Sequence, residues 1–389
     1  MKDFPDKLYI TATCASGSES VLKKEIERLG YGDNPAENGA VTFLADSNAV
    51  AEANIFLRTA ERVYIRTAKF GATTFDGIFD GVKSIPWEDY IVKDGKVTVN
   101  GKCVKSKIFA VSDCQSVIKK AIADRLCEKH KLVRLPETGA LYEVCFSLFK
   151  DELSVFLNTS GAGLHKRGYR DMVGIAPIKE TLACSLLLMS DFYYKRPFFD
   201  PFCGSGTFVT EGARIALDIA PGRDRKFAFN FWENFDRAAY KRAYEKARDN
   251  EKTERTIDFV GSDVNPKAVK LALRHAERAG LKDKVRFYVA DAGSFSPDSA
   301  YGTVVTNPPY GIRVYDREEA EACYESFGKA TLKYPGWSVF VITAAKNFEK
   351  RFGRRADRNR KTYNSEKECR FYYYYGKKPT EHGEQTDTE

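Results

Sequence analysis

Four residues offer the clearest chemistry in the chain: Asn307-Pro308-Pro309-Tyr310, which follow the apolar run Gly302–Thr306. An apolar, β-branched run with this ending predicts a buried strand that opens into a rigid loop. Each proline lacks an N–H and fixes φ at about −65°, so the carbonyl groups around the pair are held outward with few local partners. With the carboxamide and the aromatic ring, they suit a planar ring that carries an amine. A plain strand-end turn is the alternative.

Three further acids are predicted at the ends of strands. They are Asp200 after Phe198-Phe199, Asp263 after Phe259–Ser262, and Asp291 after Val285–Ala290. The carboxyl ends of strands in a doubly wound sheet lie along one edge, which is where ligands bind. We therefore expect the three carboxylates to share that edge with Asn307. The Asp263 carboxylate is placed to accept hydrogen bonds from ribose hydroxyls.

In the order DPFCGSGT, SDVNP, ADAGS and NPPYG, the second half of the chain resembles class I methyltransferases that use S-adenosylmethionine (SAM) to methylate exocyclic amines of nucleobases. The resemblance implies an α/β fold with a Rossmann-like sheet of seven strands, one of them antiparallel, and SAM as the cofactor. It also implies cofactor contacts from residues at the strand ends and on the preceding helix: Glu180, Thr181, Asp200, Cys203, Gly204, Ser205, Gly206, Thr207, Asp263, Asp291 and Ala292. A nicotinamide enzyme has a related turn but needs a fuller G-x-G-x-x-G sequence.

The same resemblance makes Asn307, Pro308, Pro309 and Tyr310 the catalytic group. The lone pair of an exocyclic amine is delocalised into its ring, so the amine is a poor nucleophile until acceptors draw its N–H groups towards tetrahedral geometry. The Asn307 side-chain oxygen and the Pro308 carbonyl are predicted to accept these hydrogens, and Tyr310 to stack on the base. Methylation at carbon 5 of a pyrimidine would need a cysteine nucleophile. Cys203 lies inside the cofactor turn, so we assign it a packing role.

The composition is that of a soluble globular protein with room for two domains: 389 residues, 43% hydrophobic and 30% charged. We expect no signal peptide and no membrane partner, and a cytoplasmic location. Nine dispersed cysteines without a C-x-x-C pair predict reduced thiols, and four histidines without ligand spacing predict no metal site. The net charge of +8 mildly favours a polyanionic partner.

The first part of the chain is predicted to be a separate α+β region without catalytic residues. It resembles a THUMP domain, an RNA-binding module, preceded by the small ferredoxin-like domain that accompanies it in bacterial and archaeal RNA methyltransferases. The predicted organisation is a ferredoxin-like domain at 1–69, a THUMP domain at 70–160, a methyltransferase domain at 161–376 and a disordered polar tail at 377–389. The implied partner is RNA, and the oligomeric state cannot be inferred.

Two basic regions are predicted to contact RNA. They are the junction, with Lys166, Arg167, Tyr169 and Arg170, and a later run that includes Arg354, Arg355 and Arg358. Arginine and lysine suit phosphates, and Tyr169 is able to stack or pack. A linker with solubilising charge and a solvated face are the alternatives. Residues 223–255 are too long for a simple crossover, and their alternating aromatics predict a packed strand or lid.

These features predict an RNA guanine-N2 methyltransferase, most like the bacterial enzymes that act on large-subunit (23S) ribosomal RNA. The NPPY sequence does not separate guanine N2 from adenine N6, so the guanine assignment depends on the N-terminal module and the junction. The alternatives are a transfer-RNA guanine-N2 enzyme, an adenine-N6 DNA methyltransferase, and a non-catalytic RNA-binding or ribosome-assembly factor. The intact glycines, three aspartates and Asn307 argue against the last of these.

Overall fold

The computed structural model describes residues 4–32, 35–37, 39–170, 178–311 and 317–377. The chain divides into two compact units. The first unit comprises 1–14, 22–166 and 220–249, and the second comprises 15–21, 167–219 and 250–389. The predicted tail beyond 377 lies outside the described residues, and the predicted domain boundaries stay a prediction.

The elements of the first part of the chain are, in order, β1 (Leu8–Cys14), α1 (Glu19–Arg28), β2 (Ala36–Glu37), β3 (Ala40–Ala45), α2 (Ser47–Phe56), β4 (Ala60–Gly71), α3 (Phe75–Lys83), β5 (Lys96–Val104), α4 (Val111–His130), β6 (Leu141–Phe149) and β7 (Glu152–Asn158). They are followed by α5 (Glu180–Met189), β8 (Phe198–Asp200), α6 (Thr207–Ala216), α7 (Arg237–Asp249), β9 (Phe259–Asp263), α8 (Pro266–Arg278), β10 (Val285–Val289), β11 (Tyr301–Thr306), α9 (Arg317–Thr331), β12 (Gly336–Thr343), α10 (Phe348–Phe352), β13 (Arg358–Asn364) and β14 (Lys367–Tyr374).

The seven strands of the first unit form one sheet in the order β2-β3-β1-β4-β7-β6-β5. The described pairings are antiparallel, except that β5 and β6 run parallel. Alternate side chains of β6 are buried, which is the pattern of a strand with one face on the core. The β6–β7 hairpin turns at Lys150 and Asp151, whose φ values of 52° and 63° match a type I′ turn.

Residues 220–249 belong to the first unit, although they lie between β8 and β9 in the chain. Trp232 stacks on Tyr142 with ring centroids 4.9 Å apart, and its indole N–H donates to the Leu141 carbonyl at 3.0 Å. Phe4 lies nearly parallel to the same indole at 6.1 Å. Most aromatics of this segment are therefore packed, but the segment forms a 3₁₀ turn and α7 rather than a strand.

The second unit contains a seven-stranded sheet in the order β10-β9-β8-β11-β12-β14-β13. The first five strands are parallel to one another. β14 is antiparallel to both of its neighbours, so it is the one strand of this sheet that runs against the rest. The predicted Rossmann-like sheet with one antiparallel strand is confirmed.

Both faces of this sheet are covered by helices, and neighbouring side chains of β11 pack against different helices. Val305 packs in one core with residues of α5 and α6, whereas Val304 packs in another with residues of α9 and α10. A strand buried on both faces must be apolar throughout, which accounts for the run that precedes Asn307. The functional loops are left at the carboxyl edge of the sheet.

Within the described ranges, no helix combines the length and the hydropathy needed to cross a membrane. No group of three or more histidine, cysteine, aspartate or glutamate side chains with the geometry of a metal site occurs in the same part of the chain. All nine cysteines are free thiols.

Candidate active site

The turn after β8 is built on two glycines with positive φ, Gly204 at 50° and Gly206 at 79°. A Cβ added to Gly206 would lie 2.9 Å from Ala272 and from Phe287, so only glycine fits there. A Cβ added to Gly204 would meet no atom of the described residues within 4 Å. The turn therefore presents open backbone at Gly204, immediately before α6 begins at Thr207, where a ligand is able to approach closely.

Asp263 ends β9 beside this turn and is held by two backbone groups. Its Oδ2 accepts the N–H of Gly204 at 2.9 Å, and its Oδ1 accepts the N–H of Asn265 at 2.9 Å. Each carboxylate oxygen has a second lone pair, so acceptor capacity remains for ligand hydroxyls. The carboxylate is thus oriented in advance for the ribose contact that the sequence predicts.

Asp200 ends β8 and is buried under the same edge. Its Oδ1 accepts the Thr306 hydroxyl at 2.5 Å and the Phe202 N–H at 3.2 Å. Burial raises the pKa of Asp200 to about 7, and the neighbouring Asp263 acts in the same direction, although the two hydrogen bonds oppose the shift. The carboxyl group therefore changes charge near neutral pH and will respond to a cation placed beside it.

The remaining predicted cofactor residues lie on two further elements. Glu180 and Thr181 form the buried first turn of α5, and Glu180 accepts a hydrogen bond from Arg170 Nη1 at 3.0 Å. Burial raises the pKa of Glu180, although Arg170 opposes the shift. Asp291 follows β10 and caps the 3₁₀ turn Ala292–Ser294 through a 2.7 Å hydrogen bond from a backbone N–H.

Cys203 and Ser205 complete the glycine turn. Burial raises the pKa of the Cys203 thiol well above its usual value, which suppresses the thiolate form that a nucleophile requires. The Ser205 carbonyl oxygen lies 3.1 Å from Nδ1 of His275. This edge combines open backbone, an oriented carboxylate and a second acid one strand further on, so its donor and acceptor set fits the methionine, ribose and adenine parts of SAM.

The loop after β11 carries the predicted catalytic group. Asn307 is half-buried, and its Oδ1 accepts the Tyr310 hydroxyl at 2.6 Å. The Pro309 carbonyl accepts a hydrogen bond from the Tyr324 hydroxyl. Among the described residues, none donates to the Pro308 carbonyl. Both predicted acceptors therefore keep unused lone pairs with respect to the described residues: Asn307 Oδ1 has a second one, and the oxygen of the buried Pro308 accepts from none of them.

Tyr310 is more enclosed than a base-stacking role requires. Its ring packs against the core that contains α5 and α6. Its hydroxyl lies 3.5 Å from Asn364 Nδ2 and 3.7 Å from Cys369 Sγ, both on the closing β13–β14 hairpin. Burial raises the pKa of Tyr310, with Cys369 as a further cause, so the hydroxyl stays protonated and able to donate to Asn307. Stacking by this ring stays a prediction.

The junction residues Arg167 and Tyr169 lie inside the second unit, with 3% and 4% of their surface exposed. The Tyr169 hydroxyl donates to Glu211 Oε1 at 2.8 Å, and Arg167 Nε lies 3.7 Å from Glu211 Oε2. Arg170 is half-buried and pairs with Glu180. The predicted phosphate contact of Arg167 does not fit this burial, whereas Tyr169 packs, which is one of the two roles predicted for it.

Glu211 on α6 is the centre of this buried cluster. Burial by itself would raise its pKa, but the charges of Arg167 and Arg214 outweigh burial and lower the pKa. Cys184 of α5 donates its S–H to Glu211 Oε2 at 3.0 Å. A buried carboxylate is tolerated only with such partners, so the cluster anchors the segment that contains Arg167 and Tyr169 to α5 and α6.

The other residues predicted to bind RNA lie at or near the surface. Lys166, Arg355 and Arg358 are exposed, and Arg354 is half-buried. Arg354 and Arg358 lie over tyrosine rings of β14, at 5.3 Å from Tyr374 and 4.7 Å from Tyr373.

Sequence reasoning missed four residues that the structure places at the site. They are Thr306, Tyr324, Asn364 and Cys369. Thr306 was detectable, because it is the last residue of a strand whose end faces the cofactor edge. The other three reach the loop through contacts that are distant in sequence, and no local pattern marks them.

The sheet order, its single antiparallel strand, the glycine turn and the row of strand-end carboxylates define a class I SAM-dependent methyltransferase. The chain belongs to the RMKL-like methyltransferase family, whose domain model matches residues 167–372. Residues 9–64 match the RlmL ferredoxin-like domain, and residues 72–158 match the THUMP domain. The predicted family and the SAM cofactor are confirmed.

Three comparisons place the chain within this family. It is 39% identical over 373 residues to the putative RNA methyltransferase YpsC of Bacillus subtilis, covering 95% of this chain and 97% of that protein. It is 31% identical over 376 residues to the ribosomal RNA large subunit methyltransferase K/L of Methylococcus capsulatus, covering 93% of this chain but 50% of that protein. This chain therefore spans about half the length of the second relative. The crystal structure of SMU.472, a putative methyltransferase complexed with SAH, superposes with a TM-score of 0.92 at 35% identity, covering 97% of this chain and 100% of that one.

Proposed function

We propose that this enzyme transfers the methyl group of SAM to the exocyclic N2 amine of a guanine in RNA, with 23S ribosomal RNA as the substrate. The observation that carries the proposal is the pair of acceptors after β11, Asn307 Oδ1 and the Pro308 carbonyl. β11 is paired with β8, whose end leads into the cofactor turn, so the acceptors adjoin the methionine side of the cofactor site.

Bound SAM supplies an electrophilic methyl group on its sulfonium. The protein then has to hold the amine in line with that methyl group and exclude water. Asn307 and Pro308 accept the two amine hydrogens, which localises the nitrogen lone pair towards the methyl group. The amine becomes acidic as it is methylated, so a strong general base is not needed.

RNA capture is assigned to the first unit, through a surface at one end of its sheet. We call it the tip patch; it consists of Val104, Lys105, Lys107, Phe109, Phe149 and Lys150. Phe109 is 81% exposed, although large aromatic side chains are usually covered. Exposed aromatic rings beside lysines are the combination that binds single-stranded nucleic acid.

The lysines of the first unit fall into two groups. Lys119 and Lys129 pair with Glu137 and Glu88, so they already serve the folded structure. In the tip patch, by contrast, the side-chain ammonium groups of Lys105 and Lys107 pair with no carboxylate among the described residues, although the Lys107 backbone N–H donates to Asp151 at 2.7 Å. Lysines that are not already paired are able to neutralise phosphates and so displace the counterions condensed on RNA, which makes the tip patch the stronger candidate for RNA contact.

The choice of large-subunit ribosomal RNA is supported by the THUMP match and by the name of the Methylococcus relative. The choice of guanine rests on the resemblance of the N-terminal module and the junction. A transfer-RNA guanine-N2 enzyme of the same build is the second candidate. Adenine N6 would present a similar amine to the same two acceptors, so the base has to be identified chemically.

The deciding experiment maps methylated nucleosides by mass spectrometry in ribosomal and transfer RNA from a deletion strain and its parent. We expect one N2-methylguanosine of 23S RNA to be absent from the deletion strain and to return when the purified enzyme and SAM are added. Loss of an N6-methyladenosine, or of a transfer-RNA nucleoside, would contradict the proposed base or RNA. A chain variant with Asn307→Ala serves as the matched control, because it keeps the cofactor turn.

A further inference from the structure

A cavity of about 540 Å³ lies at the amino edge of the methyltransferase sheet, opposite to Asn307. Its lining includes Tyr193, Tyr301, Tyr375, Lys195 and Lys377. Tyr301 begins β11 and Asn307 follows its end, so the cavity is roughly 20 Å from Asn307 at a rise of about 3.3 Å per residue. Its volume is within the range of roughly 300–1,000 Å³ that is typical of sites for small organic groups.

Three tyrosine rings in this cavity are exposed by about half of their surface: Tyr193 by 54%, Tyr375 by 46% and Tyr301 by 41%. The Tyr375 ring lies 5.9 Å from Phe340 of β12, and the Tyr193 ring lies 4.8 Å from Tyr194. Packing on one side therefore limits the motion of these rings, while their exposed surface stays available for stacking.

The surroundings of the three rings are positively charged. Lys195 lines the cavity, and Arg358 lies 4.7 Å over Tyr373, whose ring centroid is 6.2 Å from that of Tyr375. Two acids lie beside the cavity, and each has a cationic partner. Asp191 pairs with Arg196 at 2.7 Å, and Asp357, which accepts the Tyr375 N–H at 2.7 Å, lies 3.5 Å from Arg354. Cations therefore border the aromatic rings, and they outnumber the two acids beside them.

We propose that this tyrosine cavity binds bases of a single-stranded stretch of the RNA substrate, away from the methylated nucleotide, while Lys195 and Arg358 contact its phosphates. Aromatic rings stack on any base and cations follow the backbone, which is the combination used for single strands without sequence preference. In a duplex the base faces are already stacked on each other, so the rings would have nothing to bind. The inference rests on the proposed RNA substrate and adds a second contact to it.

The test uses the full chain with Tyr193→Ala and Tyr375→Ala combined, and two fluorescent probes: a 12-nucleotide oligouridylate and a 12-base-pair RNA duplex. We expect affinity for the oligouridylate to fall roughly tenfold or more, since the loss of one stacked base has an effect of this size. Affinity for the duplex should stay unchanged. Tyr193→Phe with Tyr375→Phe should bind as the wild type, because stacking uses the ring and not the hydroxyl.

The matched control is Tyr244→Ala on α7, which removes a 36% exposed tyrosine that belongs to the first unit and does not line this cavity. SAM affinity, measured by calorimetry, reports whether the double variant is folded. Unchanged binding of the oligouridylate by a folded double alanine variant would overturn the proposal, and so would an equal loss on the duplex. If the wild type binds neither probe, the proposal of an RNA substrate is contradicted, and so is the proposed role of the cavity.

Discussion

The hydroxyl of Tyr310 donates a 2.6 Å hydrogen bond to Oδ1 of Asn307, so two residues of the proposed catalytic loop are linked to each other. Asn364 Nδ2 approaches the same hydroxyl at 3.5 Å and is able to donate to it, which leaves the tyrosine hydrogen for Asn307. This arrangement determines which end of the Asn307 carboxamide faces the substrate. The closing hairpin thereby orients the acceptor that the chemistry needs.

Tyr310→Phe should reduce methyl transfer about tenfold, because one hydrogen bond that orients Asn307 is removed while the ring remains. SAM affinity should be unchanged, since the hydroxyl faces Asn307 and the hairpin. Single-turnover transfer at saturating SAM measures the effect. Wild-type turnover in this variant would show that the carboxamide is oriented by other groups.

Asn307→Ala should lower methyl transfer by about 10²–10³-fold, the usual result of losing one preorganised polar partner in the transition state. Binding of SAM should be preserved, because Asn307 acts on the acceptor amine. Asn307→Asp keeps an oxygen acceptor and should retain more activity than the alanine variant. Equal turnover in the wild type and the alanine variant would rule out the amine mechanism.

Asp263→Ala should weaken SAM binding at least tenfold, as the ribose hydroxyls lose a charged acceptor worth roughly 1.5–3 kcal/mol per hydrogen bond. The variant also removes the carboxylate that accepts the Gly204 N–H, so part of the effect will come from a looser glycine turn. Calorimetry gives the dissociation constant, and Asp258→Ala, at an exposed acid just before β9, is the control. Similar affinities for the two variants would remove Asp263 from the site.

The raised pKa of Asp200 predicts that the stability of the fold depends on pH. Its pKa of about 7 in the folded protein exceeds the usual value of 3.8, so the folded state holds a proton that the unfolded state has released. The contribution of Asp200 to the free energy of unfolding is fully present below pH 4. It is lost as the pH rises through 7, and the loss amounts to up to about 4 kcal/mol. Asp200→Asn should therefore gain stability relative to the wild type between pH 5 and pH 8 in urea unfolding. A difference between the two proteins that is independent of pH would refute this.

Bound SAM should offset the penalty at Asp200, because its ammonium group favours the ionised carboxylate. The affinity of the wild type for SAM should accordingly rise between pH 6 and pH 8. The Asp200→Asn variant should show a flatter profile over the same range. Parallel profiles would place the ammonium group away from Asp200.

Lys105→Ala combined with Lys107→Ala should weaken RNA binding and make its salt dependence shallower by about 0.7–0.9 for each phosphate that is no longer neutralised. Lys119→Ala removes a lysine that is paired with Glu137 and should leave the slope unchanged. Binding titrations between 50 and 200 mM salt, with SAM affinity as a check on folding, measure both. Identical slopes for the tip-patch variant and the wild type would exclude these lysines from RNA binding.

The strand-end acids were predictable because their signals are local. Asp200, Asp263 and Asp291 each follow an apolar run, and parallel strands bring their carboxyl ends to one edge. The number of strands and the single antiparallel strand followed from the resemblance to class I methyltransferases. Contacts such as Thr306 with Asp200 depend on how neighbouring strands are paired, which a single sequence does not show.

The burial of Arg167 and Tyr169 is the clearest departure from what the sequence pattern indicates. A dense basic segment usually lies on the surface, yet these two side chains are drawn inward by Glu211. One signal was present: Glu211 stands within a helix that is otherwise largely apolar, and a buried acid requires cationic partners. The spacing of residues along the chain does not indicate that Arg167 and Tyr169 are the partners of Glu211.

The assignment of residues 220–249 to the first unit has a consequence for biosynthesis. Tyr142 and Phe4 are made early, but the indole that covers them belongs to Trp232. The first unit therefore cannot close while the ribosome is still translating the first strand of the methyltransferase sheet, and the usual order of domain completion is broken. A nascent chain stalled near residue 210 should expose this aromatic surface to chaperones, whereas one stalled well beyond residue 249 should not.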